Sequence, residues 1–311
     1  MNLRFRDATR ALVGRFRRQR PLRSGSLIVT ILGDAIAPRG GALTLGSLIR
    51  LARPFGLTER LVRTSVARVA HDGWLLSRRA GRNSEYRLSE PGTRRFAEAT
   101  HRIYSAGPDV WSGRWSLLLT AAARDASRER MRQELQWLGF GQLGTNVFAH
   151  PGRTAEAVER LASELGASNA ITVEARSGTL EADRRIVRIG WDFEHLNRSY
   201  ARFIAAFAAI DSACRERARS SETPEDAAEP FVVRTLLIHE YRKIHLRDPL
   251  LPQSLLPAGW IGRDAYELCR RLYQHVFAAA EAFISAHAET LDGRLPPAND
   301  AAYARFGGID S

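Results

Sequence analysis

Residues 58–89 read TERLVRTSVARVAHDGWLLSRRAGRNSEYRLS, and they leave this chain little choice of local fold. Thr58 stands where a helix N-cap is needed, and Gly73 closes the helix. At roughly 100° per residue, Leu61, Val62, Ser65, Val66, Val69 and Ala70 share one arc. Arg60, Arg63, Thr64, Ala67, Arg68 and His71 share the opposite arc. WLLSRR, AGRNS and EYRLS then read as strand, tight turn and strand. Two helices are expected before this unit. The first starts at Ser24, turns Leu27, Ile28, Ile31 and Leu32 inward, and stops by Pro38, Gly40 and Gly41. The second is capped by Thr44, turns Leu45, Leu48, Ile49 and Ala52 inward, and ends at Pro54 and Gly56.

Three helices followed by a hairpin predict a winged helix-turn-helix, whose third helix enters the major groove while the wing grips the flank. On that reading Arg60, Arg63, Thr64 and Arg68 reach bases and phosphates, where an arginine can hold guanine through two bonds. Arg78, Arg79, Arg82 and Asn83 set the wing on the backbone. A solvated helix face also carries arginine, but it normally mixes in glutamate, and here only the first-turn Glu59 lies beside the exposed arc.

The charge distribution points the same way. Residues 1–100 hold 20 Arg and 7 Asp/Glu, a balance of +13, whereas the chain as a whole carries +12. The remainder is therefore near neutral, at −1. A basic module on a neutral body is the electrostatic footprint of a nucleic-acid binder. The preference for Arg over Lys, 45 against the single Lys243, reflects a bias in usage but does not explain the asymmetry. No apolar run approaches the ~18–20 residues of a membrane span. The Arg-rich start MNLRFRDATRALVGRFRRQR lacks the apolar core of a signal peptide, and an organellar transit address is the minor alternative to a cytoplasmic protein. Cys214 and Cys269 are far apart in helical patterns and are expected to be reduced.

The chain's 311 residues suggest an α+β protein of several domains. The expected divisions are a basic arm over 1–23, a winged-helix DNA-binding domain over 24–108, a middle domain over 109–190 and a mainly helical domain over 191–311. The arm is either a helix or flexible. A helix over Pro91–Tyr104 leads into the middle domain. There WSLLLTA, TNVFAHP and NAITVEA read as strands, and SRERMRQELQWLG and TAEAVERLASELG as helices with Met131, Leu135 and Leu138 inward. With a hairpin between Gln142 and His150, the order is βαββαβ, the ferredoxin-like plan. Helical spacing returns at Leu196, Tyr200, Phe203, Phe207 and Cys214, and again from Ile261 through Phe283. Residues 219–230 read as an exposed connection, and those from Gly293 onward as a loose tail.

Two motifs invite chemistry. Residues 139–144, GFGQLG, match G-x-G-x-x-G, but that motif binds pyrophosphate only with a strand before it and a helix after it. Here a helix precedes and a strand follows, so the glycines are expected to serve a tight turn. Residues 239–252, HEYRKIHLRDPLLP, place His239, Glu240 and His245 close together. A zinc-protease helix needs histidines four apart, and a spacing of six sets them ~120° off one face. Asp109, Asp125 and Asp183 lack paired spacing. No catalytic residue, metal site or cofactor is expected. The competing reading is a metal-dependent nuclease or thioester hydrolase built on His239, Glu240 and His245.

Four stretches together carry a family resemblance: LTERLVRTSVARVAHDGWL, WSGRWSLLL, ELQWLGFGQLGTNVFAHP and LIHEYRKIHLRDPLLPQSLLPAGWIGRDA. From about Ser24 to Phe283 the chain resembles the PaaX family, repressors of phenylacetic-acid degradation operons. The resemblance implies a homodimer whose winged helices bind a palindromic double-stranded DNA operator. It implies a middle domain like a small CRISPR-associated nuclease, a helical C-terminal domain, and release by phenylacetyl-coenzyme A or a related aryl-CoA. Nuclease relatives of the middle domain hold metal with an Asp at the end of the first strand. Here LLLTAAA has no acid before Asp125, so that activity does not carry over. The 239–252 stretch would then belong to effector binding or to the joint that transmits it. Arg242, Lys243, His245 and Arg247 would meet the phosphates, and Tyr241 and Trp260 the aryl group. Equally, RDP and LLP would do no more than fix a helix end and a packed loop.

Overall fold

The computed structural model describes residues 3–107, 110–120, 125–164, 169–217 and 228–309 and shows a mixed helix-and-sheet protein. Helix α1 spans Leu3–Arg17 and α2 Ser24–Thr30, which continues as a π-helical stretch over Ile31–Ile36. Strand β1 (Ala42–Thr44), α3 (Leu45–Ala52), α4 (Glu59–His71), β2 (Leu75–Ala80), β3 (Asn83–Leu88) and α5 (Glu90–Tyr104) follow. Next come β4 (Trp115–Leu119), α6 (Asp125–Trp137), β5 (Gly141–Gly144), β6 (Val147–His150), α7 (Ala155–Glu164) and β7 (Ile171–Ala175). Then come α8 (Leu180–Gly190), α9 (Phe193–Arg217), α10 (Ala228–His245), α11 (Gly262–His287), a hairpin of β8 (Glu289–Thr290) and β9 (Gly293–Arg294), and the short α12 (Asp300–Tyr303). Two compact units result. One comprises Met1–Ser105, Arg202–Lys243 and Asp264–Ser311, and the other Ala106–Ala201 and Ile244–Arg263.

In the first unit, Thr44 and Thr58 cap α3 and α4 by accepting from Ser47 N and Leu61 N. Strands β1, β3 and β2 form an antiparallel sheet in that order. The buried line of α4 is Val62, Ser65, Val66 and Val69. Leu61, expected on that arc, is 37% exposed, because it sits one position to the side of the line, in the first turn. The basic N-terminal segment is a helix, not a free arm: Phe5, Thr9, Leu12 and Phe16 repeat at helical spacing and bury one face of α1. The expectation of a loose C-terminal tail is corrected. Leu295, Ala302, Phe306 and Ile309 are buried, and so is Arg305. The tail's apolar residues are too widely spaced to show a period, which is why the sequence reads as tail.

In the second unit, β4, α6, β5, β6, α7 and β7 are laid out as βαββαβ. The strand order β5-β6-β4-β7, antiparallel throughout, is consistent with the ferredoxin-like plan. Successive residues of a strand face opposite sides. Leu118 and Phe148 pack on one side with Met131, Leu135, Val158 and Ala162. Trp115 and Ala149 pack on the other with Val187, Phe193, Leu251 and Leu255. The apolar tail of the 239–252 stretch thus helps cover the second face of this sheet. The glycines of GFGQLG serve packing. Gly139 takes φ 93 at the helix-to-strand turn, and a Cβ on Gly141 would lie 2.6 Å from the Trp191 ring. Asp183, one of the scattered acids, accepts a 2.7 Å bond from the buried Trp115 Nε1. It lies in α8, a helix that sequence reasoning did not single out. Asp109, residues 121–124, the side chain of Asp125, and most of the connection expected over 219–230 lie outside the described residues.

Candidate nucleic-acid interface

Capping and packing present one face of α4 to solvent. Arg60, Arg63, Thr64 and Arg68 are all exposed on it. Arg63 Nη2 lies 2.6 Å from Glu59 one turn earlier, and Thr64 Oγ1 donates to Arg60 O at 2.9 Å. Both contacts are local and exposed, so an anion can replace Glu59 at little cost. The hairpin adds exposed Arg79, Arg82 and Asn83, with Ala80 paired to Asn83 at its end. Arg78 differs from its neighbour. Period-two alternation puts Arg78 and Arg79 on opposite faces of the sheet. Arg78 Nη2 is held by both oxygens of Asp292, at 3.0 and 3.1 Å, and its Nε lies 3.5 Å from the buried Glu85. Seven of the eight expected DNA-contacting residues therefore project freely or through exchangeable local contacts, and one is tied to the C-terminal hairpin.

The residues expected to receive an effector are shared between the two units. In the first unit, Tyr241 is fully buried with its ring 5.4 Å from that of Phe203. Arg242 donates to Thr30 Oγ1 at 2.9 Å and to Ser26 O and Oγ at 2.8 Å. Lys243 pairs with Glu240 at 2.7 Å. His239 is fully buried, 3.1 Å from Thr30 Oγ1. Burial, then the charges of Lys243, Arg242 and Arg23, push its pKa well below the usual histidine value, so the ring is neutral. In the second unit, His245 Nδ1 lies 3.0 Å from Tyr200 Oη, and Tyr200 donates to Asp248 at 2.7 Å. Trp260 packs edge-on against Phe193 and Tyr200, and Arg247 is exposed. Among the described residues no three His, Cys, Asp or Glu side chains converge as a metal site would require.

Sequence reading missed the most heavily charged cluster of the first unit. Asp34, in the π-helical stretch, accepts from Tyr104 at 2.6 Å, from Tyr273 at 2.8 Å and from Arg234 Nε at 2.8 Å. Arg305 also reaches it, at 3.0 Å. Arg234 bonds Glu281 as well, and Glu281 in turn holds Arg39. Arg234 is completely buried in α10, five residues before His239. Burial by itself raises the Asp34 pKa, but Arg234, Arg305 and the two tyrosine hydroxyls outweigh it and hold the carboxyl below its usual value. The sequence signal was faint: an aspartate in ILGDAI and an arginine in VVRTLL, each a lone charge in an apolar run.

Three stretches match models of one family: residues 23–92 a PaaX-like protein, 108–187 the PaaX protein central Cas2-like domain, and 191–286 the PaaX-like protein C-terminal domain. The chain is 39% identical over 294 residues to the transcriptional repressor PaaX of Escherichia coli strain K12, covering 93% of this chain and 92% of that protein. The chain belongs to the PaaX family. Its curated relative is a repressor, which places the chain among regulators and not among enzymes. The Cas2-like match covers the four strands of the second unit's sheet. Among solved structures, an uncharacterized protein, Rv0674, of Mycobacterium tuberculosis has a TM-score of 0.48 and 24% identity, covering 75% of this chain and 89% of that one. No helix among the described residues is long and apolar enough to cross a membrane.

Proposed function

We propose that this PaaX-family chain is a DNA-binding transcriptional repressor of a phenylacetate catabolic operon, acting in the cytoplasm and released by phenylacetyl-CoA or a related aryl-CoA. The observation that supports it most is the exposed face of α4, where Arg60, Arg63, Thr64 and Arg68 stand clear of the core on a helix related in sequence to a repressor's. Residues 24–108 act as a winged helix, with α4 in the major groove and the β2–β3 hairpin as wing. Residues 109–190 form the ferredoxin-like middle domain. Residues 191–311 serve effector binding and dimerisation, and 1–23 supply the basic N-terminal helix. A homodimer sets two copies of α4 on half-sites one helical turn apart, about 34–36 Å. An effector that binds the non-DNA conformation more tightly than the DNA-bound one shifts the population away from DNA.

The test is a gel-shift titration with a palindrome from a phenylacetate operon and with random DNA. Salt-sensitive, operator-selective binding, weakened by Arg63→Ala and reversed by phenylacetyl-CoA but not by phenylacetate, is the expected result. Equal affinity for random DNA rules out operator recognition. Operator binding that no aryl-CoA releases rules out the effector alone.

A further inference from the structure

Residues 1–23 hold eight arginines against the single acid Asp7, and no Asp or Glu follows until Asp34. The PaaX-like match begins at residue 23, so α1 lies ahead of it. The two halves of α1 treat their arginines differently. In the first half they meet acids: Arg4 bonds Glu216 at 2.6 Å, Arg6 Nε lies 3.4 Å from Glu229, and Arg10 Nη1 lies 3.6 Å from Asp7. Arg15 and Arg17 in the last turn, and Arg18, Arg20 and Arg23 beyond it, are exposed and in no ion pair among the described residues. A helix C-terminus favours cations in its last turn, which accounts for Arg15 and Arg17. It does not account for the three that follow.

Packing sets this unpaired end against α4. Phe16 is buried with its ring edge-on to His239 at 5.7 Å, and Gln19 Nε2 donates to Glu240 at 3.1 Å. Arg17 then lies over Gly56, where a Cβ would be 2.9 Å from its Nε. Gly56 stands two residues before Thr58, the N-cap of α4. Arg23 precedes Ser24, whose Oγ accepts from Ser65 Oγ of α4 at 3.0 Å. Arg17 and Arg23 therefore stand beside the first two turns of α4, which expose Arg60, Arg63 and Thr64.

We propose that Arg17, Arg18, Arg20 and Arg23 form a second DNA-contacting surface, which holds backbone phosphates next to the groove that α4 enters. A duplex carries one negative charge per roughly 1.7 Å of its axis, so cations beside the first turns of a groove-bound helix meet the strand that borders it. The contact is independent of sequence. It adds affinity and fixes orientation, and it leaves base selection to α4. A membrane surface is the other polyanion that an Arg-rich amphipathic helix takes, but it requires the apolar face, and Phe5, Leu12 and Phe16 are buried within the unit. The inference rests on the reading of the chain as a DNA binder.

Two full-length triple variants of equal charge test it. Arg17→Gln with Arg18→Gln and Arg23→Gln removes three unpaired cations. Arg4→Gln with Arg6→Gln and Arg10→Gln removes three paired ones from the same helix. Each is titrated with operator and random duplexes over a range of salt. The first variant should lower the slope of log affinity against log salt by about 0.9 for each phosphate released, about 2–3 in all. It should lose affinity for both duplexes by the same factor, whereas Arg63→Ala loses more on operator. The second variant should keep the parent slope. A parent slope in the first variant overturns the inference alone. Equal slope losses in the two variants also overturn it, because total charge and not placement would then be the cause. A fallen operator-to-random ratio in the first variant overturns it as well, because the arginines would then support α4 without touching phosphate. Phosphatidylserine vesicles that bind the parent but not the first variant, with the DNA slope unchanged, assign the surface to lipid instead. A parent that binds neither duplex removes the DNA-binding reading, and the inference with it.

Discussion

Arg305 Nη1 lies 3.0 Å from Asp34 Oδ1, although 271 residues of chain separate them. Both side chains are 3% exposed. The pair ties the C-terminal segment to the π-helical stretch that continues α2, the first helix of the proposed DNA-binding module. Through Tyr104, Arg234 and Tyr273 the same carboxylate also engages α5, α10 and α11. The π-helical stretch that continues α2 and the long helices α10 and α11 therefore share one buried electrostatic centre.

This centre makes an ordered prediction. Asp34→Ala strands Arg305 and leaves Arg234 with Glu281 alone, and breaking a buried pair by removing one partner costs about 3–5 kcal/mol. Arg305→Met leaves Asp34 still paired with Arg234 and with both tyrosines, so it should cost less, about 1–3 kcal/mol, the scale of a lost bond to a charged group. Urea unfolding midpoints should fall in the order parent, Arg305→Met, Asp34→Ala. A parent-like Arg305→Met would show that the C-terminal segment is dispensable to the cluster.

Stability should depend on pH through His239. Its folded pKa is depressed below 6.5 by burial and by nearby cations. The unfolded chain therefore binds more protons as pH falls below that value, and stability declines with it. The contribution is complete above the unfolded pKa and is lost as pH falls toward the depressed folded value. Urea midpoints taken between about pH 8 and pH 5 should fall for the parent, and fall less for His239→Asn, which keeps a polar group near Thr30 but has no ring to protonate. Equal pH slopes in the two proteins would remove His239 as the source.

Local order is legible in the sequence, and long-range assembly is not. The caps Thr44 and Thr58, the hairpin after Gly73 and the βαββαβ order follow from spacings within a few residues of one another. The elements flanking GFGQLG are equally local, and they suffice to exclude a pyrophosphate loop there. Leu61 misleads because a helical wheel defines an arc but not where neighbouring helices meet it. The stretch 239–252 is harder to read from the sequence. Its polar density resembles a site, yet His239 and Arg242 bond Thr30 and Ser26 more than 200 residues away, partners that no local pattern reports. Arg305 escapes notice for the same reason.

Adjacent arginines of the wing should respond differently to substitution. Arg79 is exposed and shares a face with Leu75, whereas Arg78 points to the opposite face and is held by Asp292. Arg79→Ala and Arg82→Ala should weaken operator binding and lower the slope of log affinity against log salt by about 0.9 for each phosphate left without its guanidinium. Arg78→Ala should leave that slope unchanged. A slope decrease for Arg78→Ala equal to that for Arg79→Ala would mean that Asp292 releases Arg78 to DNA.

Tyr200→Phe should expose what the RDPLLP segment does. Tyr200 donates to Asp248 Oδ2 at 2.7 Å, and Asp248 Oδ1 accepts from Leu250 N at 2.9 Å. This fixes Leu250 in the left-handed region at φ 52 and directs Leu251 and Leu255 onto Trp115, Ala149 and Val187. Removing the hydroxyl takes one donor away from a buried carboxylate, a loss of about 1–3 kcal/mol. The strained turn at Leu250 then loses part of its support. Hydrogen exchange should quicken over residues 248–256, while α6 and α7, which pack on the opposite face of the sheet, keep their protection. Operator affinity should stay at the parent level. Unchanged exchange over 248–256 would mean that packing alone holds the loop. Weakened operator affinity with intact α6 and α7 protection would give the segment a part in DNA binding that its own bonding does not explain.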